Sequence, residues 1–203
     1  AALKLPEINN KNNSPITATA KVMLPSANNS LAFITDIDDT ILESHVDSFM
    51  KLKLLYETFL KNVHSRKSFE GIADTLQKIA KPSLKIEHPV FYLSHSPWNL
   101  YDLLSQFLVI NKFPIGPIFL RDLGLKHGEE KKKHDNHKRN NIKHLLFFYP
   151  TTNFVLLGDA TEHDVDIYTD IFKNYPDRIL KIIIRATEKD NNNNHVREVI
   201  KIN

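Results

Sequence analysis

The chain has 203 residues, of which 41% are hydrophobic and 25% charged, with a formal net charge of +3. That is enough apolar material for one good core, and no apolar run approaches the roughly 20 residues that cross a bilayer, so a soluble or membrane-peripheral protein with no transmembrane segment is expected. The absence of cysteine excludes disulfides, thiolate nucleophiles and cysteine-ligated zinc, and the mild positive charge suits weak attraction to anions without calling for a nucleic acid partner.

Residues 1–15, with the run EINNKNNSP, read as a polar N-terminal tether, and 16–203 as a single domain. ITATAKVML (16–24) alternates like an extended edge segment before the turn signal PSANNS. Short apolar runs then alternate with helical patterns. LAFIT (31–35), PVFYLS (89–94), PIFL (117–120), NFVLLG (153–158) and RILKIII (178–184) predict strands, and helices are expected over 47–63, 69–81, 98–110, 137–148 and 163–174. KDNNNNHV (189–196) reads as a polar loop. This α/β order predicts a three-layer, doubly wound and mostly parallel sheet covered on both faces, with ligands bound beyond the carboxyl ends of its strands.

LAFITDIDDTIL (31–42) places Asp36, Asp38 and Asp39 at the end of the first strong strand. Close carboxylates repel unless a cation or a proton compensates them. A hard divalent metal would do so; a turn whose aspartates cap local amides is the blander account. An EF-hand loop is excluded, since its sixth position needs glycine and residue 41 is Ile. A carboxylate can also attack a phosphoryl group while a second, two residues on, shuttles the proton. VFYLSHSPW ends a strand at Ser94, whose hydroxyl suits a phosphate oxygen, and Ser96 before Pro97 suits the N-cap and N1 positions of the next helix. NFVLLGDATEHD ends another strand in Gly158 and Asp159, with Asp164 beyond, and Thr161 with Asp164 fits a helix-capping pattern. Lys138 lies in the basic stretch KHGEEKKKHDNHKR, where most lysines form a solvated face. His127, His134, His137 and His144 crowd the same segment without the spacing of a zinc site. LLFFYP (145–150) is expected in the core, and Trp98 is expected to pack at the start of its helix.

D-x-D-x-T after the first strand, a serine ending a strand, a lysine at a helix start and G-D-x-x-x-x-D ending a later strand together resemble the haloacid dehalogenase superfamily of phosphohydrolases. ITDIDDTI, FYLSHSPWNLY, FPIGPIFLRD, HKRNNI, YPTTNFVLLGDATEHDVDIY and YPDRILKIIIR more closely resemble the catalytic domain of the App1-type phosphatidate phosphatases, relatives of the lipin catalytic domain. The likeness spans about residues 18–187. It implies a Rossmann-like dehalogenase fold with at most a minimal helical cap, because only two helices fit between Thr40 and Val90. It also implies Asp36 as nucleophile, Asp38 as general acid and base, and Ser94 and Lys138 as holders of the phosphoryl oxygens. Mg²⁺ would sit on Asp36, the carbonyl of Asp38 and Asp159, with Asp164 supporting its shell. The chain departs from the family at Ala160 and Thr161, where serine and glycine are expected, and residues 16–30 match only the last strand of the family's N-terminal β domain.

The activity implied is Mg²⁺-dependent hydrolysis of a phosphomonoester, phosphatidate at a membrane surface above all, with the cytoplasm favoured as location. Two other functions compete. One is a lipin-like module that binds phosphatidate without cleaving it, which would not need the paired acids; the other is the same chemistry on nucleotides, phosphoproteins or small esters.

Overall fold

A computed structural model describes residues 2–4, 17–19, 30–37, 63–121, 130–159 and 164–185, with side chains over 30–37, 71–121, 136–158 and 164–185. Residues 47–62 of the helix expected over 47–63, and the loop over 189–196, lie outside these residues. Near the amino end, β1 (Ala2–Lys4), within the expected tether, pairs antiparallel with β2 (Thr17–Thr19), within the extended segment expected over 16–24.

All five strands expected in the main domain are present: β3 (Leu31–Asp36), β4 (Val90–Pro97), β5 (Ile118–Arg121), β6 (Asn153–Asp159) and β7 (Ile179–Arg185). They form one parallel sheet in the order β5-β4-β3-β6-β7. The chain therefore steps outward from β3 through β4 to β5, crosses back to the far side of β3, and continues through β6 to β7. The connections leaving β3 and β6 diverge, and the crevice they open at the carboxyl ends of these two strands is where such sheets bind ligands.

Among the described residues, four helices cover the sheet. α1 (Val63–Ala80) and α2 (Tyr101–Ile110) lie on one face, where Ala73, Leu76, Leu104 and Phe107 pack with Phe33, Val90 and Tyr92. α3 (Glu130–Phe148) and α4 (Asp164–Asn174) lie on the other, where Ile142, Leu145, Leu146, Ile167 and Ile171 pack with Ile34, Phe91, Phe154 and Leu156. The buried positions recur every three or four residues, the spacing of one helix face, and each buried Leu or Ile contributes about 1.5–3 kcal/mol. α1 stops at the residue before Lys81 and Pro82, where the ring of the proline pushes the preceding backbone out of the helical region.

Three expectations change. The next helix does not start at a Ser96 cap: β4 runs on to Pro97, and a 3₁₀ turn (Trp98–Leu100) leads into α2 at Tyr101. LLFFYP is only half core, because Leu145 and Leu146 are buried while Phe147 and Phe148, in the last turn of α3, face outward. Trp98 is 59% exposed rather than packed.

Candidate active site

Strand alternation decides what can meet at the crevice. Along β3, Ala32 and Ile34 face α3 and α4, and Asp36 follows them in the same phase. Its side chain is fully buried, and the Lys138 ammonium lies 2.8 Å from its Oδ1. The same ammonium donates to Asp164 Oδ1 at 2.7 Å, and all three side chains are 0% exposed. Lys138 does not stand at a helix start as the pattern suggested; α3 begins at Glu130, and Lys138 lies two turns inside it. Nor is it solvated. It stands one turn before Ile142 and two before Leu145 and Leu146, in the phase of the buried stripe, and that phase is the sequence signal that separates it from its lysine neighbours.

Asp164 is the first residue of α4, where its carboxylate also benefits from the positive end of the helix dipole. The chain can approach it closely only because residue 158 is glycine. A Cβ there would sit 2.5 Å from Asp164 Oδ2 and 2.7 Å from the Tyr168 ring. Tyr168 is in turn fixed by donating its hydroxyl to the Leu157 carbonyl at 3.1 Å.

Ser94 is buried on β4, one position beyond Leu93, the register partner of Asp36. Its Oγ accepts the Ser96 N–H at 3.0 Å, the bond that replaces the expected cap. A hydroxyl can donate as well as accept. Across the crevice, Thr35 pairs with Leu157, so Asp159 at the end of β6 closes the neighbouring strand just above the level of Asp36. Asp38, Asp39 and Thr161 lie outside the described residues.

The sequence singled out His137 only as one of several histidines in the basic segment, and gave His95 no role. His137 and His95 have ring centroids 6.5 Å apart. Burial holds His137 below the usual histidine range; a bond to the Phe119 backbone opposes this, and the positive fields of His95, Arg121 and Lys138 add to the lowering. Among the described residues no cluster of three or more His, Asp or Glu side chains has metal-ligand geometry.

The described donors nevertheless suit a hard cation. Asp36 and Asp164 with Lys138 sum to one buried negative charge, and carboxylate oxygen is what Mg²⁺ takes.

The chain is 32% identical over 160 residues to phosphatidate phosphatase APP1 of Saccharomyces cerevisiae and 28% identical over 163 residues to an uncharacterised protein of Schizosaccharomyces pombe. These matches cover 77% and 80% of this chain but 26% of each relative, so the chain spans about a quarter of their length. A solved chain from a Pnkp1/Rnl/Hen1 complex superposes with a TM-score of 0.44 at 16% identity, over 90% of this chain and 57% of that one. The family model for the catalytic domain of phosphatidate phosphatase APP1 matches residues 31–186, which takes in every element from β3 to β7, and this chain belongs to that family.

Proposed function

We propose that the chain is a Mg²⁺-dependent phosphatase of the haloacid dehalogenase type that converts phosphatidate to diacylglycerol and phosphate through an aspartyl-phosphate on Asp36. The observation that carries this reading is a buried carboxylate at the carboxyl end of a central strand, clamped at 2.8 Å by a buried lysine. Membership of the phosphatidate phosphatase family supports the substrate class.

Asp36 attacks phosphorus, and the bond from phosphorus to the glycerol oxygen breaks. Asp38 gives its proton to that departing oxygen. Water then attacks the phosphorus of the aspartyl-phosphate while Asp38 takes back a proton, and Asp36 and inorganic phosphate separate. Lys138 offsets the charge of Asp36, so that an anionic phosphate can approach it, and with Ser94 it holds the phosphoryl oxygens. Asp164 orients Lys138 through the 2.7 Å contact. Asp36, the Asp38 carbonyl and Asp159 would hold Mg²⁺, which when bound neutralises charge on the phosphoryl oxygens.

Phosphate release from short-chain phosphatidate in mixed micelles, run beside p-nitrophenyl phosphate, tests this. Release is expected to require Mg²⁺, to stop with EDTA, and to vanish in Asp36→Asn, whose amide cannot form the acyl phosphate. Release from the small ester alone would keep the chemistry and discard the lipid. No release from either would favour a binding module.

A further inference from the structure

Trp98 and Tyr101 stand apart from the other surface aromatics by where they are and how they are held. A 3₁₀ turn eclipses residues i and i+3, and these two rings stack accordingly, with centroids 5.6 Å apart and planes 20° from parallel. Leu100 and Leu104, buried to 5% and 1% exposure, root the turn in the core and so turn the ring pair outward. Trp98 remains 59% and Tyr101 39% exposed. The pair emerges at the end of β4, four residues beyond Ser94 and on the edge of the sheet that carries Asp36.

We propose that Trp98 and Tyr101 are the patch by which this chain seats on an anionic lipid surface, so that a phosphomonoester headgroup faces the Asp36 crevice. This deepens the phosphatase reading and rests on it for the nature of the substrate. Indole and phenol rings carry an apolar body and a polar tip, the combination that settles at the depth of lipid headgroups. The chain's net charge of +3 is complementary to an anionic leaflet. A lipid substrate is cleaved where it lies, so the surface that meets the bilayer must share an edge with the reacting carboxylate, and this patch does.

Trp98 is the sole tryptophan, so the unaltered chain reports on its own docking. Its emission is read against vesicles of phosphatidylcholine with phosphatidylserine, and against phosphatidylcholine vesicles alone. Phosphatidylserine is a phosphodiester and not a phosphatase substrate, so the measurement stands whether or not phosphatidate is hydrolysed. The expected result is a shift to shorter wavelength and protection from acrylamide quenching, stronger with the anionic vesicles. Trp98→Ala with Tyr101→Ala should co-sediment with those vesicles about tenfold less well, the order expected when exposed aromatic area no longer leaves water, with an unchanged far-ultraviolet circular dichroism spectrum. Unchanged emission at saturating anionic vesicles would overturn the proposal, and so would full sedimentation of the double variant.

Discussion

Asp36, Lys138 and Asp164 are held at a cost that the rest of the core does not carry. Taking each ion out of water costs several kcal/mol, and only the short contacts among them repay it. A charge cluster of this kind is kept for what it does, since apolar groups of the same volume would pack at least as stably. Gly158 shows how closely the cluster is fitted. Gly158→Ala would push a methyl into Asp164 and Tyr168, one at the start of α4 and the other in its second turn, and neither is the free end of a flexible chain. A loss of about 1–3 kcal/mol in urea unfolding is expected, together with a fall in kcat larger than the lost stability accounts for, because Asp164 positions Lys138. An active and fully stable variant would mean that Asp164 can move without consequence. Asp36 was legible because paired aspartates at a strand end have few explanations. Composition alone hid Lys138, because the stretch around it reads as a solvated face; the resemblance singled it out, and its phase with Ile142 and Leu145 is the independent sign of an inward direction.

α3 carries Lys138, so what fixes that helix fixes the site. At its far end Arg178 donates to the carbonyls of Tyr149 and Thr152 at 2.5 and 2.6 Å, the usual service of a cation at a helix C-terminus. Arg139 reaches Asp170 of α4 at 3.0 Å, a partly exposed pair worth well under 1 kcal/mol or so. Near the site, His137 bonds to the Phe119 backbone and thus ties α3 to β5. Burial lowers its proton affinity below the ordinary histidine value of 6.5. The unfolded chain therefore binds this proton more readily than the folded one, and stability falls as pH drops below 6.5 toward the lowered value. His137→Gln should flatten that part of the profile, read as the urea midpoint against pH, with the two proteins converging above neutrality. An unaltered acid limb would place the proton uptake elsewhere. The end of α3 was readable from Tyr149 and Pro150, whereas its start was not: the residues from 130 to 136 form a polar run without apolar periodicity, and the helix begins seven residues before the expected 137.

The five strands were legible because parallel strands buried on both faces are continuous runs of Val, Ile, Leu and Phe. Their spatial order was not, since strand order is set by crossovers and contacts far apart along the chain. That order places the ends of β3 and β6 side by side, so Asp36 and Asp159, over a hundred residues apart, close one crevice. The arrangement makes a prediction about the folded molecule that does not depend on turnover. A cation that binds the folded chain and not the unfolded one raises stability by RT ln(1 + [L]/Kd), about 2.7 kcal/mol at a hundred times Kd. Mg²⁺ should therefore raise the Tm of the unaltered chain in a dose-dependent way, and Asp159→Asn, which removes one charge from the mouth of the crevice, should lose most of that rise. If Asp159→Asn responds to Mg²⁺ as the unaltered chain does, the ion binds away from the junction of β3 and β6, and the carboxylates gathered there serve Lys138 alone.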